Sequence, residues 1–89
     1  MEKEEKLLYE QAIKKWGESS QVNMAYEEMG ELISALNKFS RGRISTDEVI
    51  TEIADVQIMV EQLSVMFGTE SVSLEKARKL RRLKDRLKK

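Results

Sequence analysis

The sequence predicts an all-α protein, an antiparallel four-helix bundle completed by homo-oligomerisation. Composition is the first reason: there is no proline, there are only four glycines, and 36% of residues are charged. Such a chain favours long helices over sheet or disorder. The second is periodicity, since the apolar residues recur at three- and four-residue steps rather than in alternation. The third is size. Its 89 residues (1–89) make one domain, and a domain this small buries only about 60–65% of its unfolded surface. A partner subunit or a bound ion is then expected to add stability.

The first helix is expected from about Lys3 to Lys15, with Leu8, Ala12 and Trp16 on one stripe and Tyr9 and Ile13 beside it. Gly17 ends it, and Ser19 or Ser20 caps the second helix. That helix runs to about Ser40, where "SRGR" with Gly42 breaks it. "STDE" opens the third, with Thr46 or Ser45 as cap and Asp47 and Glu48 complementing the dipole of its first turn. Phe67 closes it before Gly68. A fourth helix starts near Ser71 or Ser73 and carries Leu74, Ala77, Leu80, Leu83 and Leu87 at helical steps. No repeat, low-complexity run or linker divides the chain, and short loops join neighbouring helices into a bundle.

The missing residue types narrow the chemistry. Without cysteine there is no disulfide, thiolate metal site or thiol nucleophile. Without histidine the commonest general base and zinc ligand are gone. What remains is carboxylates, Lys and Arg, hydroxyls, and a metal held by oxygen. The start of the chain is charged and no apolar run approaches the ~20 residues of a membrane span, which points to a cytoplasmic protein without membrane contact. The net charge of zero is uneven: residues 76–89 hold nine basic residues and one acid, so the rest holds seven basic and fifteen acidic.

Several acids point the wrong way for a solvated surface. At about 100° per residue, Glu52 lies within the apolar stripe formed by Val56, Met59, Leu63 and Phe67, with Asp55 to one side of it. On the second helix Glu28 shares an arc with Met24, Leu32 and Ala35, Glu31 lies near its border, and Glu27 turns toward the polar side. Burying an unpaired carboxylate costs several kcal/mol, and four on two facing helices also repel one another. Protons or basic partners would relieve this, but the basic residues sit in loops and the fourth helix. A hard divalent cation, Mg²⁺ or Mn²⁺, answers better, because it selects carboxylate oxygen. An i, i+3 acid pair from each of two helices can converge on such a site.

These residues resemble a known pattern. "EEMGE" at 27–31 and "EIAD" at 52–55, with twenty residues between Glu31 and Glu52, are similar to the signature of MazG-like nucleotide pyrophosphohydrolases. That family belongs to the all-α NTP pyrophosphatase superfamily, with dimeric dUTPases and phosphoribosyl-ATP pyrophosphohydrolases. "KKWGESSQ", "LNKFSRGR" and "KLRRL" also look like family features, so the resemblance covers nearly the whole chain. It implies a homodimeric or homotetrameric helical bundle with Mg²⁺ at the carboxylates. It also implies hydrolysis of a nucleoside triphosphate, or a deoxynucleoside triphosphate, between the α and β phosphorus atoms to monophosphate and pyrophosphate. Carried over residue by residue, Glu28, Glu31, Glu52 and Asp55 match the metal-binding acids. Glu27 matches the first acid of the motif, and Glu27 or Glu31 would accept the proton of the attacking water.

Other assignments are more open. Lys79 and Arg82, with Arg86 a turn later, either bind leaving pyrophosphate or form a solvated basic face. Trp16 either stacks on a base, with Gln21 reading its edge, or packs in the core. Lys38, Arg41 and Arg43 either reach phosphates or compensate a helix C-terminus. The alternative function is a non-enzymatic helical interaction module in which "RKLRRLKDRLKK" binds nucleic acid or an acidic partner. That reading leaves Glu52 unexplained, and aromatics are too sparse for single-strand stacking.

Overall fold

Single glycines make two of the three joints between helices. The computed structural model describes residues 1–89 and contains α1 (Lys3–Trp16), α2 (Glu18–Ser40), α3 (Thr46–Phe67) and α4 (Thr69–Leu87), with no strand. Gly17 and Gly68 carry φ of 90° and 117°, values that favour residues without a Cβ. Each glycine closes one helix and opens the next. Gly17 N–H donates to the Ile13 carbonyl at 2.8 Å, and its own carbonyl accepts from Gln21 N–H at 3.1 Å. Gly68 N–H donates to Ser64 O at 2.9 Å and its carbonyl accepts from Val72 N–H at 3.0 Å.

This changes where helices start. α2 begins at Glu18, so Ser19 and Ser20 lie inside its first turn rather than at its cap. α4 begins at Thr69, ahead of Ser71 and Ser73. Ser45 occupies the cap of α3, but its side chain makes no capping hydrogen bond. In both one-residue joints the N-cap position is the glycine itself, so no side chain stands there to cap the first-turn N–H groups.

α2 and α3 form an antiparallel hairpin that makes most of the tertiary contact, α1 lies against both, and α4 touches α3 alone. The core is small: Tyr9, Ala25, Ala35 and Met59, together with two glutamines, Gln21 and Gln62. On α1 only Tyr9 is buried, while Leu8 and Trp16, expected on its inner stripe, lie exposed. The Tyr9 hydroxyl donates to Glu61 Oε1 at 2.6 Å and ties α1 to α3. Burial, and then the adjacent carboxylate, push the Tyr9 phenol from 10.0 to about 12, because both disfavour a phenolate.

Within one chain the fourth helix does not close a bundle. Nothing on α4 is buried, and Leu74, Leu80, Leu83 and Leu87 all face out. The molecule measures 40 × 36 × 21 Å with a radius of gyration of 15.6 Å, against about 12 Å for a compact domain of this length. No helix is long and apolar enough to cross a membrane.

Candidate metal centre

Antiparallel packing of α2 on α3 brings the two acid pairs together. One carboxylate oxygen each from Glu28, Glu31 and Glu52 lies within 4.8 Å of the other two. Glu28 and Glu52 are half-buried, Glu31 is exposed, and Asp55 is half-buried one turn from Glu52. Glu28 Oε2 and Glu52 Oε2 are sealed from solvent and have no hydrogen-bond partner. The ion pairs of the chain all involve Glu75 on α4, so no lysine or arginine forms an ion pair with these carboxylates.

The electrostatics follow from that crowding. Burial raises the pKa of Glu28 above 4.5, and the charges of Glu31, Asp55 and Glu52 add to it. Burial also raises Glu52, with Glu31 and Asp55 as the next causes. Glu31 is close enough to share a hydrogen with either neighbour when one is protonated. While all three are ionised none can donate, which is why the two Oε2 atoms have no partner.

Two clefts meet at the acids. The larger, of about 430 Å³, is lined by Trp16, Gln21, Met24, Glu28, Asp55 and Met59, with Ser20, Ile58 and Gln62 completing its wall. The smaller, of about 190 Å³, is lined by Glu31, Ser34, Ala35, Lys38, Ile44, Glu48 and Glu52. The acid cluster is thus shared between an apolar cleft with carboxamides and a polar cleft with one lysine.

The expected site residues divide accordingly. Glu28, Glu31 and Glu52 converge, Asp55 sits beside them, and Trp16, Gln21 and Lys38 line the two clefts. Glu27 is exposed and lines neither cleft. Lys79 and Arg82 are exposed on α4 and line neither cleft. Lys79 Nζ instead lies 4.0 Å from Glu75 Oε1. Glu48, in the smaller cleft, and Gln62, in the larger, were not among the expected residues. Glu48 is four residues before Glu52 on the same face of α3, and that i, i+4 spacing was the available signal.

The donor set fits a hard divalent cation. It is all oxygen, it comes from two rigid helices, and two of its oxygens have no partner in the protein. Comparisons with protein-family models, with curated proteins and with solved structures find no match for this chain.

Proposed function

We propose that the chain is a MazG-like nucleotide pyrophosphohydrolase. It would hydrolyse a nucleoside or deoxynucleoside triphosphate between the α and β phosphorus atoms, releasing monophosphate and pyrophosphate. The observation that carries this reading is the convergence of Glu28, Glu31 and Glu52, with two sealed and unpartnered oxygens, at the junction of two clefts. A polyanionic substrate cannot approach such acids without a cation between them.

Glu28, Glu31 and Glu52 would hold Mg²⁺, or Mn²⁺ in its place, with Asp55 as a further oxygen ligand. When bound, the ion neutralises phosphate oxygens and makes water a better nucleophile at neutral pH. The residues of the chain do the rest. Trp16 and Gln21 hold the base in the larger cleft, which orients the triphosphate across the acids. Lys38, in the smaller cleft beside Glu31 and Glu52, attracts the departing pyrophosphate. Glu31, the exposed member of the cluster, accepts the water proton as the new P–O bond forms and the bridging P–O bond breaks, and Glu27 relays it to solvent.

The proposed enzyme works as a homodimer or homotetramer. The outward leucines of α4 and the open shape of the single chain support this. In such an assembly Lys79 and Arg82 of one copy would serve the phosphates bound by another.

A panel of nucleoside triphosphates with Mg²⁺ tests the proposal. Some member should give monophosphate and pyrophosphate, and Glu28→Ala or Asp55→Ala should lower turnover at least about a hundredfold while the chain stays helical. Release of diphosphate and free phosphate would mean the bond cleaved has been misassigned.

A second reading rests on α4 and the two residues after it, which together expose nine basic residues between 76 and 89 and bury none. It makes the chain an interaction module for nucleic acid or an acidic partner. Retention on heparin or DNA that falls steeply with salt, without any nucleotide hydrolysis, would favour it.

A further inference from the structure

Gln62 has no role in the mechanism above, yet it is 6% exposed in a chain that buries very few residues. Its Oε1 is sealed and without a partner, and its Nε2 makes only a 3.9 Å contact to Met59 Sδ. Gln21, 4% exposed, takes part in none of the side-chain hydrogen bonds of the chain. A sealed amide oxygen without a partner in a minimal core calls for a ligand, because buried polar groups are normally hydrogen-bonded.

Both glutamines line the 430 Å³ cleft, and register gives that cleft a polarity. On α2 it is lined by Gln21, Met24 and Glu28, and on antiparallel α3 by Gln62, Met59 and Asp55. Each set covers seven residue steps, so the carboxamides lie about 10 Å along the helices from the acids. Thioethers fill the interval and Trp16 contributes an aromatic wall. A nucleoside 5′-phosphate has a comparable reach from phosphorus to the hydrogen-bonding edge of its base. A carboxamide matches a base edge that offers N–H beside an acceptor. The terminal amide torsion of glutamine is soft, so Gln62 can turn Oε1 or Nε2 into the cleft and lose only the contact to sulfur.

We infer that Gln62, paired with Gln21, is the specificity-determining residue for the base: it reads the polar edge of a purine or pyrimidine held against Trp16. The inference rests on the cleft belonging to a nucleotide site, and its test separates the two ideas. Nucleosides carry no phosphate and need no metal, so they probe the base end alone. Trp16 is the only tryptophan of the chain, which makes its fluorescence a reporter from the cleft wall.

Adenosine, guanosine, cytidine and uridine are titrated in EDTA against wild type, Gln62→Leu and Gln62→Met, with ribose as control. At least one nucleoside should quench Trp16 saturably and ribose should not. Both variants should bind that nucleoside about tenfold more weakly, the loss of one hydrogen bond between neutral groups. They should melt no lower than wild type, since an apolar side chain relieves an unpartnered oxygen, and Gln62→Met keeps the unbranched shape if leucine does not fit. Quenching of equal affinity in wild type and a folded variant would overturn the role of Gln62. Absence of quenching by every nucleoside would overturn the base cleft. Triphosphate hydrolysis that continues in that case leaves the pyrophosphohydrolase reading standing, whereas nucleoside binding without hydrolysis removes that reading and keeps the cleft.

Discussion

Glu52 presents the conflict at the residue scale: a carboxylate in an apolar stripe, half-buried, with one oxygen facing no partner. A metal-binding role predicts that removing its charge harms function but not the metal-free fold. Glu52→Gln should melt in EDTA at or above wild type and gain far less from millimolar Mg²⁺. Wild type should gain several degrees, since an ion at a hundred times its Kd stabilises by about 2.7 kcal/mol. Poor stability of Glu52→Gln in EDTA with a normal Mg²⁺ response would make Glu52 a structural acid. The pH dependence has a definite sign. Glu28 and Glu52 hold protons more firmly folded than unfolded. Their contribution is therefore full below about 4.5 and is lost as pH rises through the raised folded values. In EDTA, wild type should lose ground to Glu52→Gln as pH climbs through that range, and Mg²⁺, which needs the ionised forms, should narrow the gap. Glu28 and Glu52 were legible in the sequence because an acid amid methionine, valine and leucine breaks the helical pattern. Gln62 was not, since glutamine on a helix looks solvated and only tertiary packing beside α1 buries it.

At the scale of elements, the short α1 depends on one polar link. It buries a single side chain, Tyr9, whose hydroxyl meets Glu61 across the α1–α3 contact. Tyr9→Phe keeps the ring and removes that bond, so a loss of about 1–2 kcal/mol is expected, read as a lower urea midpoint at unchanged slope. The Tyr9 phenol, pushed from 10.0 to about 12, keeps its proton longer in the folded chain. Wild type should therefore lose stability as pH rises from about 10 toward 12, and Tyr9→Phe should lack that component. Helix spans were legible almost throughout, because glycines and the "SRGR" break punctuate a chain otherwise free of breakers. The starts of α2 and α4 differ from the sequence reading because hydroxyl residues suggested caps where a glycine occupies each N-cap. Glu61 was missed for a different reason. It lies half a turn round α3 from Glu52, where an acid reads as surface until α1 covers it.

For the whole molecule, the decisive quantity is its surface. The chain exposes 7167 Å², about 1,800 Å² more than a compact monomer of its mass would. Counted on both copies of a dimer, that excess comes to about 3,600 Å², the range of an obligate interface rather than a transient one. Light scattering at micromolar concentration should give a dimer or a multiple of it, and Leu80→Asp with Leu83→Asp should shift the species toward monomer. A cooperative, fully helical wild-type monomer would defeat the expectation. The bundle class was legible from periodicity, but the outward set of α4 was not, because periodicity records which residues share a face and not what that face meets. Gly68 adds a constraint of phase. Because α3 and α4 are separated by one residue, the heading of α4 is a function of where α3 stops. One residue more in α3 would turn the basic face by about 100° while leaving every acid of the cluster in register. The length of α3 downstream of Asp55 therefore fixes the aim of α4 without moving the acid cluster.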